Sequence, residues 1–254
     1  HEKNEELLHY TDVPMEPGTK VTGKIDWTRR FDLMQQHSGE HMVSGLIHER
    51  YGYENVGFHL GSDVITIDLS GPLSLEQLAE MEMLVNRKIW ENAAVEIAYP
   101  SPEELKTIPY RSKKELTGKV RIVTFPGADI CACCGTHVSH TGEIAVFKIL
   151  SESGVAAGVR RIEAITGMNV TAYYKKLEEE LIQSAAIVKT NPAGLAEKLK
   201  SMMADMKAMQ SEIESLKSKA AKEEFLANPD LVHPNNEYGF LDISQVHENL
   251  ENIK

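Results

Sequence analysis

Two short ligand pairs, about ninety residues apart, place the tightest condition on how this chain folds. His37-Ser38-Gly39-Glu40-His41 carries two imidazoles four residues apart, and Cys133-Cys134-Gly135-Thr136-His137 carries a thiol and a third imidazole at the same separation. On a helix, positions four apart lie on one face a turn from each other, where both imidazoles can reach one metal ion. Gly135 frees the backbone to turn, so the second pair suits a tight loop as well as a helix. Either pair alone is weak, because two histidines on a helix face are more often packed or exposed than ligated. Together they supply three imidazoles and one thiolate, a set that suits zinc.

Length and composition narrow the class. At 254 residues the chain has room for one large domain or two smaller ones. No window of eighteen apolar residues occurs, so no membrane span is expected, and the opening His1-Glu2-Lys3-Asn4-Glu5-Glu6 is too polar for a signal peptide. The chain does not begin with Met and is expected to be a piece of something longer. Cys131, Cys133 and Cys134 crowd into four positions, too close for a long-range disulfide framework, which favours a reducing cytoplasm and a metal-bound thiolate. A net charge of −11 argues against non-specific attachment to a polyanion. The run from Arg111 to Arg121 offsets it locally, with five basic residues against one acid, and makes Arg111, Lys113 and Lys114 candidates for phosphate contact or an ordinary solvated face.

The pattern along the chain predicts an α+β fold. Val21, Gly23, Ile25 and Trp27 alternate with polar residues after a Pro-Gly turn, which reads as the end of an N-terminal β domain over residues 1–30. From Phe31 to about Tyr51 the apolar step becomes helical, putting the first ligand pair on a helix. Asn55–Leu60 follows, and then a β-branched, strand-like run over Val64–Leu69, ended by Gly71-Pro72. A second helix is expected over Ser74–Asn92, capped by Ser74 with Gln77 at the box position and with Leu75, Leu78, Met81, Val85 and Ile89 facing inward. Further strands are expected at Val95–Tyr99, Val120–Phe125, Thr141–Leu150 and Val159–Ile165, so that mixed helix and antiparallel sheet cover about residues 31–168. Beyond Gly167, Tyr174, Leu177, Leu181, Ser184 and Val188 step by three and four. After Asn191-Pro192-Ala193-Gly194 a second seam runs through Leu195, Leu199, Met202, Met206, Met209, Ile213, Leu216 and Ala220. This pattern predicts an antiparallel helical hairpin of coiled-coil type over 169–227, closing on itself or on a second copy, with the methionines as core filler. Residues 228–254 read as a linker and the start of a further domain.

Several segments together resemble one family. His37-x-x-x-His41, Cys133-x-Gly135-Thr136-His137-Val138, Thr141-Gly142-Glu143-Ile144 and the long stretch from Gly154 to Gly167 through Arg160-Arg161-Ile162-Glu163 resemble the editing domain of alanyl-tRNA synthetase. The His-Ser-Gly-Glu-His form of the first motif is similar to that of free-standing alanyl-tRNA editing proteins. The resemblance covers roughly residues 31–168, and the following hairpin also matches the longer members. The N-terminal barrel and most of the C-terminal domain of those proteins are expected to be absent. The editing domain of threonyl-tRNA synthetase shares the metal pairs, but the Arg-Arg-Ile-Glu segment favours the alanine type.

The resemblance implies zinc held by His37, His41, Cys133 and His137. It implies hydrolysis of the ester joining serine or glycine to the 3′ end of mischarged alanine tRNA, which would then be the partner. Four protein donors fill a tetrahedral zinc, which favours an orienting role for the metal. Thr136, Glu40 and His59 are small polar candidates for pairing with the serine hydroxyl, a contact that alanine would leave unmade. Glu40 is open to three readings: general base, a partner of His41, or an exposed helix carboxylate. His59 is expected in a loop after the first helix, facing substrate or merely solvent. Arg160 and Arg161 either contact RNA phosphate or anchor Glu163. Cys131 and Cys134 are further thiols that can compete with Cys133 for the metal or serve a redox switch. Two rivals remain: an inverted zinc-peptidase motif in His37-x-x-Glu40-His41, and a structural zinc in a module whose working part is the coiled coil.

Overall fold

The computed structural model describes residues 2–3, 6–7, 10–112 and 118–227. The chain divides into two compact units, between Tyr174 and Lys175. Among the described residues no helix is long and apolar enough to cross a membrane.

The first unit opens with two paired dipeptide strands, β1 (Glu2–Lys3) and β2 (Glu6–Leu7). The alternating run ending at Trp27, expected as a strand, is not one: residues 21–26 have no regular structure, and Trp27 opens helix α1 (Trp27–Tyr51). Asp26 decides this, because its carboxylate accepts a hydrogen bond from the Arg29 backbone N–H at 3.1 Å and caps the helix. Val21, Ile25 and Trp27 are exposed, and an alternating run with nothing to pack on gains nothing from extending. Helix α1 is the centre of the unit. Every residue from Gln35 to Ile47 is buried, and the helix ends where Gly52 turns left-handed at φ 69° and returns its N–H to the His48 carbonyl at 2.9 Å.

Around α1 come β3 (Asn55–Leu60), β4 (Ile65–Leu69), α2 (Leu75–Trp90), β5 (Glu96–Ala98), α3 (Pro102–Leu105), β6 (Ile122–Phe125), β7 (Asp129–Ala132), a 3-10 turn (Thr141–Ile144), β8 (Phe147–Ala156) and β9 (Val159–Thr166). They form two antiparallel sheets, in orders β3-β4-β9-β8 and β5-β6-β7. The fold is α+β. Helix α2 has the expected capping box: Ser74 Oγ accepts from Gln77 N, and Gln77 Oε1 accepts from Ser74 N. Its inner face is Leu78, Met81, Val85 and Ile89, while Leu75, expected on that face, is 80% exposed as the first residue of the helix.

The run Thr141–Leu150 is not one strand either. Thr141 Oγ1 donates to the end of α2, with the Lys88 carbonyl at 3.0 Å and that of Ile89 at 3.2 Å, which bends the chain into the 3-10 turn. After Ala145, at φ 66°, β8 begins at Phe147. Met42, Ile47, Ile65, Ile67, Met81, Phe125, Phe147 and Ile162 form the middle of the core. Burying side chains of this size stabilises by about 1.5–3 kcal/mol each before entropy is charged against it. Gly45 lets the β6–β7 turn reach α1: a Cβ there would stand 2.2 Å from the Ala128 carbonyl oxygen.

Helix α4 (Gly167–Ile187) starts in the first unit and continues into the second. A short 3-10 turn at Pro192–Gly194, capped by Asn191, leads into α5 (Leu195–Ala227). The helical break falls where Asn-Pro-Ala-Gly puts it. Of the predicted seam, Leu199, Met206, Met209, Ile213 and Leu216 on α5 are all exposed in this chain. Lys113, Lys114 and residues 228–254 lie outside the described residues.

Candidate metal centre

The central helix presents His37 and His41 from one face, one turn apart. The loop after β7 brings Cys133 and His137 against them, across roughly a hundred residues of sequence. One ligand atom from each of the four lies within 4.8 Å of all the others. The His37 and His137 rings are 4.3 Å apart between centroids, and His41 lies 5.0 and 4.9 Å from them. Gly135 makes the approach possible, since a Cβ there would stand 2.3 Å from His37 Cε1. Arg121 pins the same loop by donating to the carbonyls of Cys133 at 2.7 Å and Gly135 at 2.9 Å.

Each imidazole is held in the same sense. His37 Nδ1 meets the Thr136 carbonyl at 3.2 Å, His137 Nδ1 meets Ser38 Oγ at 3.3 Å, and His41 Nδ1 meets Asp129 Oδ2 at 2.9 Å. With Nδ1 spent on an oxygen, every ring keeps Nε2 for the cluster, the arrangement by which outer partners fix a ligating histidine's tautomer. His137 Nε2 is buried and has no hydrogen-bond partner, and a buried polar atom rarely goes unmet. Cys133 Sγ lies 3.5 Å from His37 Nε2 and accepts from the Gly135 N–H at 3.4 Å. Three imidazole nitrogens with one sulfur form a donor set that could hold a metal ion and that suits zinc.

The electrostatics put Cys133 and His137 in the forms a metal ligand needs, and push His41 toward its charged form, from which an ion would have to displace a proton. Burial pushes the Cys133 thiol up, but His137, His37 and His41 around it outweigh burial and bring it down to about 3, so the thiolate is its form near neutrality. Burial and the neighbouring His37 and His41 depress His137 to about 4, which keeps it neutral. Burial also works against the charged form of His41, yet the bond to Asp129, then Cys131, Cys133 and the Glu40 charge, raise its pKa well above 6.5. Asp129 is held below the usual carboxylate range despite its burial by His41 and by Arg111, which donates to it twice at 2.8 and 2.9 Å.

The other candidates fall in different places. Glu40 is not an exposed carboxylate: it is 2% exposed and accepts from Ser44 Oγ at 2.9 Å and from Asn55 Nδ2, tying α1 to β3. His59 lies within β3 and not in a loop, paired with Thr66 and exposed. Its neighbour Phe58 is the residue of β3 that meets the cluster, stacked on His37 at 5.7 Å. Thr136 is exposed beside the ligands. Arg111 is only 15% exposed and fully engaged by Asp129. Arg160 is paired with Glu152, and Arg161 makes a two-pronged bond to Asp68 at 2.7 and 2.8 Å, with the charge of Glu163 acting on it more weakly. Cys131 is buried, Cys134 exposed. Asp129 and Cys131 form a second possible group with His41, but Arg111 already occupies Asp129. Ser38, Asp129, Arg121 and Phe58 escaped the sequence reading: the partners of Ser38 and Asp129 lie about ninety to a hundred residues away, and nothing in the local pattern marks the contacts of Arg121 with the Cys133–Gly135 loop or of Phe58 with His37.

Residues 120–163 match the family described as Threonyl and Alanyl tRNA synthetase second additional domain. The chain is 38% identical over 210 residues to Alanine–tRNA ligase 1 of Lachnoclostridium phytofermentans, matching 80% of this chain and 24% of that protein. It is 31% identical over 209 residues to Alanyl-tRNA editing protein Aarsd1-A of Xenopus laevis, matching 81% of this chain and 51% of that one. The chain is a homologue of both. It thus spans about a quarter of the ligase and half of the editing protein. The matches extend well beyond the four candidate ligands, so the likeness does not rest on a metal motif alone.

Proposed function

We propose that the chain is the editing part of an alanine-specific system, a zinc-dependent deacylase that hydrolyses the ester between serine or glycine and alanine tRNA. The observation that carries this is the convergence of three Nε2-facing imidazoles and one thiolate in a chain homologous to alanyl-tRNA editing proteins. His37, His41, Cys133 and His137 would hold the ion. When bound, zinc supplies a fixed positive charge at the floor of the site.

The chain's own residues do the rest. Ser38, Asp129 and the Thr136 carbonyl keep the three rings in register, and Arg111 keeps Asp129 ionised. Arg121 and Gly135 set the loop from which exposed Thr136 offers a hydroxyl to the hydroxyl of a misattached serine. Alanine cannot make that bond, which is the sense of discrimination that editing needs. Phe58 stacks on His37 and supports its ring from that side. Water adds to the carbonyl carbon, the bond to the ribose oxygen breaks, the amino acid leaves as a carboxylate, and the tRNA regains its hydroxyl. Glu40, tied to Ser44 and Asn55, braces this frame.

The exposed seam of α5 supports pairing with a second copy, and action in translation supports a cytoplasmic setting. The peptidase alternative loses its base, because Glu40 is committed to Ser44 and Asn55. The test is single-turnover release of serine from serine-charged alanine tRNA by the metal-loaded chain, with alanine-charged tRNA as control. Selective release, lost in His37→Ala, supports the reading; equal release of alanine, or none, overturns it.

A further inference from the structure

Three cysteines fall within four residues, and the four candidate ligands include only one of them. Cys131 is left out. It is 5% exposed, and its thiol makes a weak contact with the Ala132 carbonyl at 3.7 Å. Its place is set by the strand. The ladder with β6 runs one residue past the end of β7, because the Cys133 N–H still donates to the Arg121 carbonyl at 3.1 Å. Cys131 and Cys133 are therefore two apart on extended backbone and project to the same side. That side faces α1: each sulfur lies within 4.8 Å of a ligand nitrogen of the one imidazole of His41. Cys134 follows beyond the ladder and is exposed.

Two residues of extended chain separate Cα atoms by about 6.6 Å, at the upper limit for a disulfide. A bond between the two sulfurs therefore requires Cys133 to move toward Cys131 and away from His37, whose Nε2 it meets at 3.5 Å. The position allows it, since Cys133 stands where β7 ends and the ligand loop begins. A metal ion on Cys133 and a Cys131–Cys133 bond thus exclude each other. Access also differs between the two thiols. Cys133 is only partly buried, open to a small oxidant, whereas Cys131 is closed to solvent.

We infer that Cys131 is the resolving thiol of a reversible redox lock on the metal centre, closed by hydrogen peroxide and opened by a dithiol. Cys133 attacks peroxide as the thiolate: an S–O bond forms, the O–O bond breaks, and the departing hydroxide takes up a proton to become water. Cys131 gives up its proton and attacks the resulting sulfenic sulfur; the S–S bond forms, the S–O bond breaks, and the second oxygen leaves as water. Two thiols have then passed two electrons to one peroxide. Without Cys131, further peroxide carries Cys133 to the sulfinic acid, which thiols do not reverse. The inference rests on the metal-binding part of the proposed function. The S–S bond is read by mass and the ion by a zinc indicator, so the two fail separately.

The zinc-loaded chain carrying Cys134→Ser is treated with hydrogen peroxide beside a chromophoric zinc indicator and then with dithiothreitol, and its peptides are mapped by mass after alkylation. Expected are loss of the bound zinc, a Cys131–Cys133 peptide that lacks two hydrogens and resists alkylation, and return of nearly all zinc capacity on reduction. Cys131→Ser in the same background is expected to hold zinc as its parent does before oxidation. After oxidation it should carry added oxygen on Cys133 and recover about tenfold less capacity. Cys131→Ala repeats the measurement without placing a hydroxyl in the core. Oxygen on Cys133 with Cys131 still free in the parent, or recovery in both Cys131 variants equal to that of the parent, would overturn the assignment.

Discussion

His41 and Asp129 meet at 2.9 Å, both buried, and Asp129 is clamped from its other side by the two-pronged guanidinium of Arg111. The carboxylate therefore fixes a candidate metal ligand and compensates a buried cation at once. These two tasks can be separated by substitution.

Asp129→Asn keeps the shape but offers one oxygen where two were used and removes the charge that favours the Nε2-facing form of His41. Zinc affinity is expected to fall roughly 10–100-fold, the usual cost of losing a partner behind a ligating histidine. Competition with a chromophoric chelator measures it. Asp129→Ala also strands Arg111 and is expected to lower stability by about 3–5 kcal/mol in denaturant melts. Unchanged zinc affinity in the Asn variant would show that Asp129 serves the fold alone.

Gly45 faces the Ala128 carbonyl and the Asp129 side chain, leaving no room for a methyl group. Gly45→Ala is expected to cost about 1–3 kcal/mol by forcing α1 and the β6–β7 turn apart. Because this turn carries Asp129, the variant should also bind zinc more weakly. A variant as stable as the parent would mean that the turn yields freely.

The Arg161 guanidinium beside Asp68, by its hydrogen bond above all, holds that carboxyl below 3.8 against a slight opposing effect of burial. A carboxyl depressed in the folded state adds stability above its unfolded pKa and loses it as pH falls through the folded one. The difference in urea midpoint between the parent and Asp68→Asn should therefore be constant from pH 7 to 5 and shrink below about pH 4. The pair is solvated, so the difference is small throughout. A difference that grows on acidification would contradict the assignment.

Leu199, Met206, Met209, Ile213 and Leu216 keep a seam spacing on α5 and are exposed. Sedimentation of the full chain is expected to show concentration-dependent dimerisation that Ile213→Asp abolishes, with zinc content unchanged. A parent chain that stays monomeric up to its highest soluble concentration would remove the second copy from the account.

What the sequence could tell follows from the range of each signal. Ser74 and Gln77, three residues apart, announce the start of α2 because a capping box is complete within one turn. His37 with His41, and Cys133 with His137, were legible for the same reason, as each pair is local. The alternation before Trp27 misled because period two says how side chains would point if the chain extended, not whether anything waits to pair with it. One polar side chain, Asp26, settled that question. Thr141 likewise broke a strand-like run through bonds to α2, fifty residues away. Asp129, Ser38 and Phe58 matter only through partners distant in sequence, and His59 stood one position from the residue that faces the cluster.

The central claim is that His37, His41, Cys133 and His137 hold one metal ion between them. Zinc quantitation with X-ray absorption on the purified chain tests it most directly. The account predicts one zinc per chain, with three nitrogens at ~2.0–2.1 Å and one sulfur at ~2.3 Å. Two or more sulfurs would bring Cys131 or Cys134 into the shell, and a chain that binds no zinc would leave the orphaned nitrogen of His137 without its explanation; either result contradicts the site as assigned.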